Sequence, residues 1–328
     1  MLACPTCQGR LDWTIIQRSG DRIEMGEASC AACATSYPVQ DGIGIFLTPD
    51  LPREDLWEEV DSQLVQHLRQ HPDLERKLMG GPLDGLGPAD QYFRAAVLEE
   101  RGDYAGAQAA EEAANLGLYT PDYLCCWENQ YNYVIQQLSA SDAPMVDLAS
   151  GRCYLVEKLA RDLEVPLVAT DFSPRVLRRD RRWFEFLGLY DRISLLAIDA
   201  RRTPFKAGAV KTLTTNLGLP NISQPGSLLQ ELRRVVDGRF LAISFFYPED
   251  DATNGALIRE AGVDVLLYRR KALEAFARSG WHVEVANSCF GRALPTPASE
   301  VLEGAAIDAL PVAETTLEWG VLAARNTE

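Results

Sequence analysis

The fold is decided by the stretch Ala143-Pro-Met-Val-Asp-Leu-Ala-Ser-Gly-Arg-Cys-Tyr-Leu155. Its apolar run ends on Asp147, a turn of small residues follows, and a helical pattern begins near Val156. This order predicts a strand, a tight turn and a helix, a unit whose turn and helix N-terminus can approach a ligand closely. The stretch therefore predicts an α/β fold built on a parallel sheet.

Two further apolar runs end in the same way. Pro166-Leu-Val-Ala-Thr-Asp171 and Ile193-Ser-Leu-Leu-Ala-Ile-Asp199 each close on an aspartate. Because parallel strands end at one edge of a sheet, we expect the three acids to meet there. An acid at the end of the second strand is placed to accept hydrogen bonds from ribose hydroxyls. The pattern predicts a nucleoside site at this edge.

The segment Asp147-x-Ala-x-Gly-x-Cys153 resembles the first motif of the class I S-adenosylmethionine (SAM) dependent methyltransferases, an acid followed by three alternating glycines. Thr214–Asn221 resembles the family's fourth strand, and Leu232–Ile243 its turn into the fifth. The resemblance covers about residues 120–328. It implies a seven-stranded, Rossmann-like α/β methyltransferase domain. The chain departs from the family pattern in replacing two of the glycines, by Ala149 and Cys153.

The same resemblance implies SAM as cofactor and a set of contact residues. Asp171 takes the family's ribose-binding position and Asp199 its adenine-edge position. The aromatic stretch before the first strand adds Tyr131, on a helical face that is interpreted either as core or as part of the cofactor pocket. The expected cofactor contacts are Asp147, Ala149, Ser150, Gly151, Asp171, Phe172, Asp199, Ala200, Asn216, Leu217 and Tyr131. No catalytic residue is assigned; a general base is sought among Tyr247, Glu249, Asp250 and His282.

Residues 1–47 are predicted to be a small β domain built around a metal. Cys4 with Cys7, and Cys30 with Cys33, form two Cys-x-x-Cys pairs that each offer two thiolates from one turn. Four such ligands close a tetrahedral site that suits structural zinc, whereas catalytic zinc needs an open position. Disulfides or free thiols are the alternative. The segment resembles the zinc ribbons fused to, or partnered with, certain methyltransferases, including rRNA guanine methyltransferases.

Residues 48–118 are predicted to be a helical insert, acting as linker or lid, before a methyltransferase domain at 119–328. Apolar residues at helical spacing predict one helix from Arg53 to Met79. A helical hairpin, Ala89–Arg101 and Tyr104–Leu116, follows. A late segment, residues 295–311, matches no recognised pattern.

The formal net charge of −15 bears on partners. Proteins that hold a phosphate backbone normally show a basic face, and the one basic cluster here is Arg175–Arg182. We interpret it as a solvated helix face, partly neutralised by Asp180 and Glu185. Nucleic acid is therefore disfavoured. With no 18-residue apolar run and no signal peptide, no membrane partner is expected and the expected location is cytoplasmic.

The sequence thus predicts a SAM-dependent methyltransferase that acts on a small-molecule or protein acceptor. An RNA methyltransferase is the alternative favoured by the zinc ribbon and opposed by the charge. A catalytically silent, methyltransferase-like scaffold that binds a protein partner through the ribbon is the second alternative. The lost glycines favour the scaffold, and the three strand-end aspartates oppose it.

Overall fold

In the computed structural model, residues 1–48 and 56–326 are described, with the side chains of residues 56–62 left out. The strands are β1 Leu11–Ser19, β2 Arg22–Cys30, β3 Ser36–Gln40, β4 Ile43–Phe46, β5 Met145–Asp147, β6 Leu167–Asp171, β7 Ile193–Ile198, β8 Val210–Asn216, β9 Val236–Phe246, β10 Trp281–Ala293 and β11 Thr315–Asn326. The helices are α1 Leu56–Gln70, α2 Pro72–Gly80, α3 Pro88–Glu100, α4 Tyr104–Leu118, α5 Pro121–Leu138, α6 Tyr154–Asp162, α7 Pro174–Leu187, α8 Pro225–Val235, α9 Ala252–Glu260, α10 Asp264–Leu267 and α11 Arg269–Arg278.

The strands of the described residues form one sheet in the order β1-β2-β3-β4-β7-β6-β5-β8-β9-β11-β10. The pairs from β4 to β9 along this order are parallel, and β11 runs antiparallel to both β9 and β10. Helices follow β5, β6 and β8 before the chain returns to the sheet, as parallel neighbours require. The α/β prediction is confirmed, and the three predicted strands end at one edge.

The seven-stranded sheet predicted for the methyltransferase domain is not confirmed as a separate unit, because the sheet has 11 strands. The order β7-β6-β5-β8-β9-β11-β10 accounts for the expected part, and β1 to β4 extend it. β4 pairs in parallel with β7, from Ile43 opposite Leu195 to Phe46 opposite Ile198. The N-terminal strands thereby cover the outer edge of β7, which would otherwise be open.

The N-terminal strands share a hydrophobic core with the rest of the sheet. Phe46 is fully buried and stacks on Tyr37 with ring centroids 5.4 Å apart. Both rings belong to the same buried cluster as Val146 of β5 and Ile198 of β7. The domain boundaries predicted at residues 47 and 118 remain predictions. Among the described residues, buried side chains of the ribbon belong to the same hydrophobic cluster as those of the parallel strands.

The helical region differs from prediction in its first helix. Two helices, α1 and α2, replace the single helix predicted from Arg53 to Met79, and Arg53 lies outside the described residues. Pro72 occupies the first turn of α2, where its missing N–H is harmless, and it disfavours helix at the residue before it. The hairpin α3–α4 forms as predicted. Asp103 caps α4 by accepting a hydrogen bond from the Gly106 N–H at 2.9 Å.

Residues 295–311 connect β10 to β11 and are fastened to α3. The buried Asp90 carboxylate accepts hydrogen bonds from the Ser299 hydroxyl and from the N–H groups of Glu300 (3.1 Å) and Val301 (3.2 Å). Leu302 and Ile307 pack on the hydrophobic cluster of the helical region. This segment therefore ties the helical region to the end of the sheet.

The basic helix α7 is not a solvated face, which corrects the interpretation from sequence. Arg181 contacts Glu24 of β2 at 2.8 Å, and Arg178 lies 3.6 Å from Asp41. On the other side, Arg175 and Arg179 reach Glu100 (3.5 Å) and Glu99 (3.7 Å) of α3, respectively. The arginines of α7 thus join the ribbon to the helical region. No helix among the described residues is long and apolar enough to cross a membrane.

Candidate functional site

The turn after β5 has an unusual backbone. The three positions at which the family pattern has glycine adopt left-handed φ angles: +49° at Ala149, +53° at Gly151 and +56° at Cys153. Left-handed geometry is strained for residues with a Cβ atom and easy for glycine. The turn therefore keeps the conformation of a glycine motif although two of its glycines are replaced.

Gly218 provides the space for the Ala149 methyl group. A Cβ atom added to Gly218 would lie 2.8 Å from the Ala149 Cβ and 2.6 Å from the Thr215 Oγ1. Gly218 itself has an ordinary φ of −78°, so space rather than backbone geometry requires glycine there. The replacement at 149 is thus matched by a glycine after β8.

Asp147 is turned toward the neighbouring strand. Its Oδ1 accepts a hydrogen bond from the Thr214 hydroxyl of β8 at 2.6 Å. Burial raises the pKa of Asp147 to about 7, and hydrogen bonds with Thr214 and Ser150 act in the opposite direction. The carboxyl group joins β5 to β8 beneath the turn.

A cavity of about 180 Å³ lies at the carboxyl ends of β5, β6 and β7. Its walls come from the strand ends and from the loop after β8. The lining residues are Leu148, Ala149, Thr170, Asp171, Phe172, Ile198, Asp199, Ala200, Arg201, Asn221, Ile222 and Ser223. This is the crevice in which open α/β sheets bind their ligands.

Asp171 connects the turn with the end of β6. Its Oδ2 accepts a hydrogen bond from the Gly151 N–H at 3.1 Å, and its Oδ1 accepts one from the Ser173 N–H at 3.0 Å. A carboxylate has about four lone-pair sites and can therefore accept more than two hydrogen bonds. The geometry fits a residue that holds vicinal hydroxyls.

Asp199 is engaged by Arg201, a residue that the sequence did not single out. The guanidinium forms a two-point contact, Nε to Oδ1 at 2.9 Å and Nη2 to Oδ2 at 2.7 Å. Arg201 also donates to the Ser223 hydroxyl at 2.8 Å. One arginine thus spans the cavity wall from β7 to the loop after β8. In the sequence, the one indication of this contact is a basic residue two positions after a strand-end acid.

Asn216 and Tyr131 meet outside the cavity lining. Asn216 accepts a hydrogen bond from the Trp127 Nε1–H at 3.0 Å and donates one to the Tyr131 hydroxyl at 3.0 Å. Both ends of its amide therefore bind α5. The adjacent Leu217 has φ +56° and donates its N–H to the Ile243 carbonyl at 3.0 Å.

The predicted cofactor contacts therefore fall into three groups. Ala149, Asp171, Phe172, Asp199 and Ala200 line the cavity. Asp147, Ser150 and Gly151 form the turn behind it, and Asn216, Leu217 and Tyr131 belong to the junction with α5. Among the candidate bases, His282 of β10 lies opposite Arg325 of β11 in the strand register, and Arg325 lies opposite Arg239 near the start of β9. His282 is therefore at the edge of the sheet opposite to the cavity. Glu249 is exposed and paired with Arg270.

Arg152 anchors the helical region on the turn. Its guanidinium lies 3.1 Å from Glu99 of α3 and 3.1 Å from Glu111 of α4. Tyr154, at the start of α6, also donates to Glu111. The nearby Cys153 thiol is buried, which together with the charge of Asp180 raises its pKa, so it stays protonated and donates to Asp180 at 3.4 Å.

The four ribbon cysteines converge. The Sγ atoms of Cys4, Cys7, Cys30 and Cys33 lie within 4.8 Å of one another. Cys4 and Cys33 are 3.6 Å apart and Cys7 and Cys30 are 3.4 Å apart. A tetrahedral site with metal–sulfur bonds of about 2.3 Å has sulfur–sulfur edges of about 3.8 Å, close to these separations. The cluster fits a four-thiolate metal site.

Fold and cavity define a Rossmann-like α/β protein with a ligand crevice at the strand ends. Residues 145–238 match the family described as a methyltransferase domain. This segment, less than a third of the chain, therefore resembles a methyltransferase domain. No curated protein matches the sequence.

Several solved structures resemble the chain at low identity. YcgJ from Bacillus subtilis is 14% identical with a TM-score of 0.49, over 61% of this chain and 99% of that one. A putative methyltransferase from Bacillus halodurans is 16% identical with a TM-score of 0.48, over 60% and 98%. Geranyl diphosphate C-methyltransferase from Streptomyces coelicolor is 16% identical with a TM-score of 0.45, over 70% and 84%. Values this low assign no activity.

Proposed function

We propose that this chain transfers the methyl group of SAM to a small-molecule or protein acceptor. The observation that carries the proposal is the cavity at the ends of β5, β6 and β7, with Asp171 and Asp199 in its wall. A nucleoside needs an acceptor of hydrogen bonds at its ribose and an apolar slot for its base. Phe172, Ile198 and Ile222 supply apolar surface in the same cavity.

The donor set fits SAM residue by residue. Asp171 holds the ribose hydroxyls, Phe172 packs on the adenine, and Asp199 with Ala200 meets the adenine amine. Ala149, Ser150 and Gly151 pass beneath the cofactor, and Asp147 orients their turn through Thr214. Asn216, Leu217 and Tyr131 bound the side from which the acceptor approaches.

Bound SAM would supply a methyl group on a sulfonium, which the lone pair of the acceptor would displace with the sulfide as leaving group. The chain's own task is alignment, which accounts for much of the rate in such displacements. Tyr131 and Trp127 fix Asn216, and Asn216 continues into the glycine that packs on Ala149. These contacts position Asn216 and the loop after β8 against the turn that follows β5.

Structural zinc is part of the proposal. Four thiolates at near-tetrahedral separations suit zinc, and with all four positions filled by protein the metal has no open site for chemistry. All eight cysteines are free of disulfides. Free thiols are typical of a reducing compartment, which supports a cytoplasmic location.

RNA is a weaker candidate acceptor. Arg181, Arg178 and Arg179 of α7 form ion pairs with Glu24, Asp41 and Glu99, respectively, which reduces the positive charge that this helix offers to a phosphate backbone. The silent-scaffold alternative has one observation in its favour, since Arg201 already engages both carboxylate oxygens of Asp199.

Calorimetric titration of SAM and of S-adenosylhomocysteine tests the proposal. We expect micromolar binding to the wild type and a loss of at least about tenfold, or 1.4 kcal/mol, in Asp171→Ala. Asp191→Ala, an exposed acid outside the cavity, is the matched control. No heat with either ligand, in a folded protein with metal in its cysteine cluster, would favour the scaffold.

A further inference from the structure

An aromatic cluster with one acid lies beside α5, and we call it the aromatic–acid cluster. It consists of Tyr119, Tyr123, Trp127, Tyr247, Trp319 and Asp308. The rings of Tyr119 and Tyr123 stack with centroids 4.7 Å apart and planes at 11°, and Trp319 meets Tyr123 edge-on at 4.9 Å. The rings come from α5 and the link before it, from β11, and from the residue that follows β9.

The acid comes from the segment that the sequence left uninterpreted. Asp308 belongs to residues 295–311 and accepts a hydrogen bond from the Tyr119 hydroxyl at 3.0 Å. Burial, followed by the charge of Asp308, raises the pKa of both Tyr119 and Tyr123. The same segment is also fixed to α3 through Asp90. Asp308 is therefore held by its own bond to Tyr119 and by the attachment of its segment to α3.

Two buried polar atoms of the cluster have no hydrogen-bond partner among the residues that the structure describes. The Tyr247 hydroxyl and the Trp319 Nε1–H are both unpartnered, in side chains that are 3% and 0% exposed. Unpartnered buried polar groups are costly and call for an explanation, of which a ligand is one. Tyr119, Tyr123, Trp127 and Asp308 stay only half-buried, so the cluster has an open side.

The cluster lies next to the cofactor turn. Trp127 donates to Asn216, and two residues later Gly218 packs on Ala149. Tyr154, which follows the turn, brings its ring to 5.9 Å from that of Trp127. The aromatic–acid cluster is therefore at the carboxyl end of β8 and β9, beside the turn and on the side that the cofactor cavity does not occupy.

We propose that the aromatic–acid cluster binds a cationic nitrogen of the methyl acceptor, a substrate class that rests on the methyltransferase function proposed above. Ring faces carry negative potential and attract cations, most strongly where water is excluded. Asp308 is the acid of the cluster; burial raises the pKa of its carboxyl group, and a bound cation would stabilise the carboxylate form. The Tyr247 oxygen can accept from an ammonium, and the Trp319 N–H can donate to an oxygen of the same molecule.

Choline and its neutral carbon isostere 3,3-dimethyl-1-butanol are the probes, because they share a shape and differ in charge. Tryptophan fluorescence is titrated with each, with and without S-adenosylhomocysteine, in the full-length protein. We expect choline to bind the wild type at least about tenfold more tightly than the isostere. Asp308→Asn and Tyr123→Leu should abolish this preference.

Two conservative variants separate recognition from folding. Tyr123→Phe keeps the ring face and should keep the preference for choline, whereas Tyr123→Leu should lose it. Glu303→Gln removes an exposed acid of the same segment outside the cluster and should leave the preference for choline unchanged. Equal binding of the two probes, or no binding of choline, in a protein that binds S-adenosylhomocysteine overturns the cationic acceptor and leaves the methyltransferase proposal standing. Choline preference without S-adenosylhomocysteine binding would instead overturn the proposed function.

Discussion

Ala149 and Gly218 show how single residues preserve the turn. The left-handed φ of Ala149 and the missing side chain of Gly218 are two parts of one arrangement, because the methyl group of the first fills the space left by the second. Packed interiors tolerate such exchanges when the total volume is kept.

We expect Gly218→Ala to destabilise the protein by about 1–3 kcal/mol, since its new methyl group would meet Ala149 and Thr215. Combining it with Ala149→Gly should recover part of the loss. The coupling in a double-mutant cycle, measured by urea unfolding, should be at least about 0.5 kcal/mol. Strict additivity would show that the two positions do not share this space.

At this scale the sequence predicted the strand-end acids but not their partners. Asp171 and Asp199 line the cavity, as expected of acids that close parallel strands. Arg201 could not be assigned to Asp199 in advance, because an arginine two residues on may equally point to solvent. Asn216 was predicted near the cofactor, yet its amide is bound to α5, a contact between residues far apart in sequence.

Among the elements, α3 and α4 are held to the turn by charge. Arg152 reaches Glu99 and Glu111 at 3.1 Å each, where little of any of the three side chains is exposed. Removing one partner of a buried ion pair leaves an uncompensated charge, which costs far more than the loss of a surface pair. In this structure the helical region is therefore docked on the turn through these ion pairs.

Glu111→Gln should lower the free energy of unfolding by about 3 kcal/mol. Its neighbour Glu112 is exposed and accepts a hydrogen bond from Gln108 of its own helix, so Glu112→Gln should stay within about 0.5 kcal/mol of wild type. Denaturant unfolding of both variants decides the matter. Equal, small effects would mean that the docking of α3 and α4 rests on apolar contacts.

In the whole molecule, the ribbon and the methyltransferase domain share one sheet. The periodicity of residues 143–199 predicted the parallel strands well, because each strand is a short apolar run ending on an acid. The pairing of β4 with β7 could not be predicted, since strand pairing leaves no mark in the local sequence of Ile43–Phe46. The four N-terminal strands therefore extend the sheet to eleven strands.

Because the sheet is continuous, loss of the metal should affect the whole protein. Cys33→Ser removes one thiol of the cluster, and we expect a lower melting temperature in a single transition that also reports on Trp281 and Trp319 in β10 and β11. Cys125→Ser changes an exposed thiol outside the cluster and is the control. Two separate transitions in Cys33→Ser would indicate that the ribbon unfolds independently.

The parallel contact between β4 and β7 also orders events during synthesis. Ile43 pairs with Leu195, so 195 − 43 = 152 further residues must be made before its partner exists. At about 5–20 residues per second, the ribosome takes on the order of 10 s over them. During that interval the nascent ribbon has no sheet to join. Early binding of a metal ion would fold the ribbon and so limit pairing of the open edge of β4 with other chains.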